Sequence, residues 1–379
     1  MKRLYFDYNA TTPIAHAVRD AMLPFLSEHF GNPSSGHAMG RAVREAIEDA
    51  REQVASLVGA EREEIIFTSG GTEANNLALK GLLLRQAIEL GAHLVISALE
   101  HPAIVQPARF LERLGYALTI VPAEQSGVVS PDAVAAALRP NTILVSIMHA
   151  NNEIGTIQPL REVAAICRSR GILVHTDAAQ TVGKIRTKVD DLGVDLLSIA
   201  GHKMYAPKGV GALYVRRGTS LEPLLHGAGH EGGLRAGTEN VPYIIGLGKA
   251  SWMANKALTE TSSRLSTLRD QLLAELRQAI PDLTVNGESV TRLPNTLSVN
   301  FPRVSGAQLL ARIPELCAST GAACHSGSGQ LSATLEAIGH TPQSARGTVR
   351  LSLGWHSTED EVLQAASLLL DAWERLSNE

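Results

Sequence analysis

Two stretches fix the architecture: Ile172-Leu173-Val174-His175-Thr176-Asp177-Ala178-Ala179-Gln180, then Leu196-Leu197-Ser198-Ile199-Ala200-Gly201-His202-Lys203. Each begins as an apolar run of the length expected for a fully buried strand. The first ends in a carboxylate and the second opens, past a glycine, into an amine. Two such strands deliver an acid and an amine to one site.

The neighbouring sequence repeats the pattern. Ile65-Ile66-Phe67 and residues 94–97, 143–148 and 211–215 read as further strands, and 41–58, 72–90, 102–114 and 159–170 read as helices. Strand alternating with helix predicts an α/β fold whose mainly parallel sheet is covered on both faces. Ligands of such sheets bind beyond the carboxyl ends of the strands. Gly71, His101, Asn152, Asp177 and Lys203 all follow strand-like runs, so one pocket can collect them. After Lys249 the pattern changes. Residues 252–279 read as one long helix, 283–301 and 345–353 carry short β-type runs, and 358–376 is a closing helix. The expected organisation is a large domain over 14–257 and a smaller α+β domain over 258–379, to which residues 1–13 contribute.

Composition narrows the function classes. The chain has 379 residues, 44% hydrophobic and 19% charged, with 34 basic and 38 acidic side chains and a net charge of −4. That is ordinary for a globular enzyme and gives no electrostatic footprint for nucleic acid. No apolar stretch approaches the length of a membrane span. The N-terminus, Met1-Lys2-Arg3-Leu4-Tyr5-Phe6-Asp7, has no signal-peptide pattern, so a cytoplasmic protein is expected. The three cysteines, Cys167, Cys317 and Cys324, form no CxxC and no even framework, which argues against structural zinc and disulfides.

The candidate residues have both a chemical and a bland reading. An acid that holds a pyridinium proton and a lysine that anchors an aldehyde are the requirements of pyridoxal phosphate. Asp177 and Lys203 fit them, although Asp177 also fits a helix cap and Lys203 a surface amine. Gln180, one turn beyond Asp177, and Asn152 could reach a phenolic oxygen. Ser69-Gly70-Gly71-Thr72-Glu73 joins a strand to a helix, where free N–H groups favour an anion; an ordinary glycine turn reads the same. His101 can stack on a ring and move a proton near neutrality, but it is one of 13 histidines. Gly237-Thr238-Glu239-Asn240 is a second polar turn. Arg350, in Thr348-Val349-Arg350-Leu351-Ser352, matches a carboxylate if it faces inward. Cys324 lies in Gly321-Ala322-Ala323-Cys324-His325-Ser326-Gly327, a small-residue loop typical of reactive rather than core thiols. Cys167 and Cys317 lie in apolar surroundings and read as core.

Together these stretches resemble the cysteine desulfurase family, in the class V aminotransferase branch of fold-type I pyridoxal-phosphate enzymes. The likeness runs from Tyr5-Phe6-Asp7-Tyr8-Asn9-Ala10-Thr11-Thr12-Pro13 to Arg350-Leu351-Ser352-Leu353-Gly354. It takes in Gly31-Asn32-Pro33-Ser34-Ser35, Asn151-Asn152-Glu153-Ile154-Gly155 and Gly201-His202-Lys203. It implies a seven-stranded sheet in the large domain, a homodimer, and pyridoxal 5'-phosphate anchored on Lys203. In that picture Asp177 faces the ring nitrogen, Gln180 and Asn152 the phenolic oxygen, and His101 the ring. Gly71, Thr72 and His202 hold the phosphate, joined by Thr238 of the neighbouring subunit. Arg350 and Asn32 hold the substrate carboxylate. Lys203 doubles as the Cα base, and Cys324 takes sulfur from L-cysteine as a persulfide, leaving L-alanine, with His101 or His325 as a base for its thiol. The sulfur then passes to an acceptor such as an iron–sulfur scaffold or a tRNA-thiolating enzyme.

The sequence departs from that pattern at Ala200, where many members carry a serine that contacts the phosphate. Arg292-Leu293-Pro294-Asn295-Thr296 and the segment around Cys324 also resemble selenocysteine lyases, which makes L-selenocysteine the alternative substrate.

Overall fold

The structure is a computed structural model, and it describes residues 3–85, 91–321 and 331–379. Its strands are β1 (Leu4–Tyr5), β2 (Ile65–Thr68), β3 (His93–Ser97), β4 (Ala117–Val121), β5 (Thr142–Ser146), β6 (Leu173–Asp177), β7 (Leu196–Ala200), β8 (Gly211–Val215), β9 (Thr284–Val285), β10 (Thr296–Asn300), β11 (Leu316–Cys317) and β12 (Thr348–Ser352). The main sheet has seven strands in the order β2-β8-β7-β6-β5-β3-β4. The pairs from β4 across to β7 are parallel, and β8 runs against both β7 and β2. The expected mainly parallel seven-stranded α/β sheet is therefore present.

All five residues of β7 are buried, as are four of the five in β6. That is why neither alternates: β7 is apolar but for Ser198, while β6 is apolar only through Val174, and its buried His175 and Thr176 are hydrogen-bonded to Ser146, Ser198 and the Ile147 carbonyl. Strand β6 pairs with β7 so that Asp177 lies opposite Ser198, and β7 continues to Ala200 before turning into Lys203. The carboxylate and the amine thus leave the same edge of the sheet from adjacent strands.

Strand β4 is absent from the sequence reading. It pairs only with β3, and of its residues only Val121 is buried; an edge strand with that exposure carries a weak apolar signal.

The long helix begins eleven residues earlier than its sequence pattern, at Val241, and runs to Ala279. Gly246 and Gly248 dilute the pattern because neighbours crowd them. A Cβ at Gly246 would lie 2.7 Å from Met22 Sδ, and one at Gly248 would lie 2.6 Å from the Ala50 Cα. Each glycine permits close helix packing at the expense of helix propensity.

This helix links two cores. Val241, Ile244, Leu247, Ala250 and Ala254 join the core beneath the main sheet, together with Val43, Ile47 and Val54 of the helix Ala38–Val58. Leu265, Leu268, Leu272 and Leu276 join a separate core with Leu4, Phe6, Leu297, Val299, Val349 and Leu351. That second core lies against the antiparallel sheet β12-β10-β9. Strand β1 pairs with β11, and Asp7 bridges to Ser352, so the first residues of the chain are bound to this later part.

Candidate active site

Lys203 ends the short 3-10 turn that follows β7. Its Nζ donates to the backbone carbonyls of Asn9, at 2.6 Å, and Ala10, at 2.8 Å. The amine thus points inward. The Asn9 carbonyl also accepts from Gln180 Nε2 at 3.0 Å. The Asn9 side chain accepts from Lys184 Nζ and Asn295 Nδ2, and donates to Thr296 Oγ1 and the Asn152 carbonyl. Asn9 is the centre of the site's polar network, and sequence reasoning did not single it out. A polar residue beside Ala10-Thr11-Thr12 carries no signal of burial by itself.

Asp177 is buried at the end of β6. Its Oδ2 accepts from Asn75 Nδ2 at 2.7 Å and its Oδ1 from the Ala179 N–H at 3.0 Å. The Ala179 bond is the cap interaction of the bland reading; the Asn75 bond goes beyond it. Asn75 lies on the buried side of the helix Gly71–Arg85, and it too went unrecognised in the sequence.

His101 caps the helix Pro102–Arg113: its Nδ1 accepts from the Ala103 N–H at 3.0 Å. The neutral ring therefore carries its proton on Nε2. Burial lowers its proton affinity; the nearby Asp177 charge raises it and the Lys203 charge lowers it, so the three groups share one electrostatic environment.

The turn after β2 is open, with Ser69 and Thr72 exposed. Glu73 closes its far side, accepting from the Ser69 N–H and from Arg235 Nε. A Cβ on Gly71 would come within 3.1 Å of the Ala200 Cβ, so only glycine leaves the turn clear there. His202 Nδ1 lies 3.1 Å from Thr11 Oγ1, and burial with the charge of Lys203 brings its imidazole down to about 4. Thr238 is exposed in the loop that Arg235 ties to Glu73, and among the described residues no hydrogen bond joins it to the turn. These features fit a phosphate-bearing aromatic cofactor: an open glycine turn at a helix N-terminus, a buried carboxylate, and an inward amine between them.

Arg350 faces inward from β12 and is 2% exposed. Its guanidinium donates to Asp7 Oδ1 at 2.6 Å and to the Asn152 carbonyl at 3.0 Å, and its Nε is buried without a partner among the described residues. The solvent-facing reading of this arginine is excluded. Asn32 is exposed, its Oδ1 accepts from the Ser34 N–H, and among the described residues no hydrogen bond links it to Arg350. Cys324 and His325 lie outside the described residues. Cys167 is fully buried, and desolvation pushes its thiol up to about 12. Cys317 is only partly buried, which corrects the expectation of a core position; β11 is a two-residue strand paired with β1, not an interior one. Among the described residues no cluster of three or more His, Cys, Asp or Glu side chains could hold a metal ion, and no helix is long and apolar enough to cross a membrane.

The family profile "Aminotransferase class-V" matches residues 4–364, which places the protein among the pyridoxal-phosphate enzymes of that class. A curated "Cysteine desulfurase IscS" of Dictyoglomus turgidum is 48% identical over 99% of this chain and 95% of its own. Another, from Methanosarcina thermophila, is 43% identical over all of this chain and 93% of its own. The solved structure of a "NifS-like protein" superposes with a TM-score of 0.91 at 37% identity, covering all of both chains. The structure "SspA in complex with cysteine" gives 0.83 at 39% identity, covering 92% of this chain and 98% of the other. The chain belongs to the cysteine desulfurase family.

Proposed function

We propose that this protein is a pyridoxal-phosphate-dependent cysteine desulfurase that converts L-cysteine to L-alanine and carries the sulfur as a persulfide on Cys324. The observation that carries the reading is the meeting of Lys203, Gln180 and Lys184 with Asn9, and of Asn9 and Arg350 on the one Asn152 carbonyl, at the edge of the sheet where Asp177 emerges.

When bound, pyridoxal phosphate supplies an electron sink for charge developing at Cα. Gly71, Thr72 and His202 would hold its phosphate, Asp177 its ring nitrogen, Gln180 and Asn152 its phenolic oxygen, and His101 its ring. Arg350, helped by Asn32, holds the substrate carboxylate. Once free, the Lys203 amine takes the Cα proton. The Cys324 thiolate then attacks the substrate sulfur. One S–S bond forms and the C–S bond breaks, its electron pair passing to Cβ; Cβ is protonated and the proton taken by Lys203 returns to Cα, giving alanine. His101 holds its proton on Nε2 and so presents an N–H to the site; a lone pair to deprotonate Cys324 must come from another group, and His325 is the adjacent candidate.

The sulfur goes to a protein acceptor, an iron–sulfur scaffold or a tRNA-thiolating enzyme, in the cytoplasm, where free thiols such as Cys167 and Cys317 persist. The reading includes a homodimer in which Thr238 reaches the partner's phosphate site. Its exposure, and that of Leu26 and Phe30, supports such an interface. The division into 14–257 and 258–379 is supported by the two cores that share the long helix. The lyase-like segment 292–296 has a structural use here, since Asn295 and Thr296 fix Asn9. The similarity to curated cysteine desulfurases supports cysteine over selenocysteine as the substrate. The test is product analysis with both substrates and mass spectrometry of Cys324. Alanine and a persulfide on Cys324 are expected from cysteine; turnover of selenocysteine alone would overturn the reading.

A further inference from the structure

Lys184 has no part in the reaction as described, yet it is buried to 9% exposure beside the site. It lies one turn beyond Gln180. Its Nζ donates to Gln180 Oε1 at 2.8 Å and to Asn9 Oδ1 at 3.1 Å. An amine in this place gives N–H groups, so the Gln180 atom that faces it is the oxygen. The Gln180 nitrogen must then point the other way. It donates to the Asn9 carbonyl at 3.0 Å, the same oxygen that accepts from Lys203. An amide nitrogen carries two N–H groups, and the second is left for a ligand. The Asn9 amide is oriented independently, by Asn295 on its oxygen and by Thr296 and the Asn152 carbonyl on its nitrogen.

We propose that Lys184 is a positioning residue for the cofactor: it locks Gln180 in the one amide orientation that offers an N–H to the cofactor's phenolic oxygen beside Lys203. The inference rests on the role given to Gln180 above. The charged surroundings agree with it. Lys203 and Arg350 both face Lys184, with Arg350 paired to Asp7, and His202 also feels the Lys184 charge. Burial first, and these like charges second, hold the Lys184 amine well below the ordinary lysine range. In either protonation state Lys184 has an N–H for each of its two acceptors, Gln180 Oε1 and Asn9 Oδ1.

The experiment uses the cofactor-loaded enzyme and reads the pH midpoint of its visible absorption. Wild type, Lys184→Met, Gln180→Leu and the double variant are compared. Borohydride reduction and mass spectrometry of Lys203 are run on wild type first. Without Lys184, Gln180 can present its oxygen instead of its nitrogen, and the proton at the phenolic oxygen is held more tightly. The midpoint of Lys184→Met is expected to rise by about half a pH unit or more. Gln180→Leu and the double variant are expected to share one midpoint, because Lys184 acts through Gln180. An unshifted Lys184→Met midpoint overturns the inference. So does a double variant that differs from Gln180→Leu by more than about half a unit. If Lys184→Met does not fold, the comparison of Gln180→Leu with the double variant still decides, because replacing both partners of a buried hydrogen bond by apolar groups costs little. Absence of any adduct on Lys203 overturns the reading of the site and this inference together; an adduct with an unshifted midpoint overturns the inference alone.

Discussion

Arg350 donates to Asp7 Oδ1 at 2.6 Å, and this partly buried ion pair ties the Asp7 segment to β12 at the edge of the site. The guanidinium makes its other bond to the Asn152 carbonyl, and its Nε has no partner among the described residues. A planar donor fork held in one orientation and only partly satisfied is suited to a carboxylate ligand. Asp7 has a second effect: it balances the charge of an arginine that would otherwise be buried alone.

Arg350→Ala is therefore expected to raise the KM for L-cysteine by roughly ten- to hundredfold, the worth of about 1.5–3 kcal/mol of charge-assisted hydrogen bonding. Cofactor content, read from visible absorption, should be retained, because Arg350 is assigned to the substrate and not to the cofactor. Steady-state kinetics with the loaded variant provides the check. An unchanged KM would remove Arg350 from the substrate site.

The sheet and the two ends that deliver Asp177 and Lys203 were legible because β6 and β7 are buried on both faces and each opens on consecutive apolar residues, Leu173-Val174 and Leu196-Leu197. The residues that orient them were not legible. Asn9, Asn75 and Lys184 come from a loop, a helix and a turn, and they meet the site only through contacts distant in sequence. Lys184 in particular looks like any lysine after a glycine; nothing local marks an amine whose two acceptors are buried amides. Arg350 was legible only as a possibility, since alternation along β12 cannot say which face is the site. The start of the long helix was hidden by Gly246 and Gly248, whose selection answers to Met22 and Ala50 and not to helix propensity.

Lys203→Ala is expected to abolish turnover and to leave no borohydride-trapped adduct, while the phosphate turn and Asp177 still bind the cofactor reversibly. Retained activity would contradict the assignment. Cys324→Ser should bind cysteine and alter the absorption spectrum, yet yield no persulfide. Cys167 offers no substitute, because burial keeps it a thiol. A persulfide found by mass spectrometry on Cys167 or Cys317 would show that Cys324 is not the nucleophile.

Ala200 stands against Gly71 with no hydroxyl to offer the phosphate turn. Ala200→Ser is expected to tighten pyridoxal phosphate by at most about 1.5–3 kcal/mol, an upper bound of roughly ten- to hundredfold in Kd. Equilibrium dialysis of the apoprotein measures it. Weaker binding would mean that the added oxygen crowds the turn at Gly71 instead of serving it.

Glu100 gives the stability of the fold a pH dependence of its own. The carboxyl is fully buried; Ser97 Oγ and the Met148 N–H both donate to its Oε1, and Oε2 has no partner among the described residues. Desolvation, opposed by those two hydrogen bonds and reinforced by the Asp177 charge, pushes it up to about 8. In the unfolded chain the same group ionises near the ordinary glutamate value of about 4.3. Below that pH both states are protonated and Glu100 costs nothing. As pH rises from there to about 8, only the unfolded state releases the proton, and stability is progressively lost. Glu100→Gln keeps an acceptor for Ser97 and Met148 and cannot ionise. The variant should therefore match wild type at about pH 4 and exceed it by a few kcal/mol at about pH 8. Urea unfolding of the apoprotein at the two pH values provides the measurement. Equal differences at both would show that Glu100 titrates alike in the folded and unfolded chain.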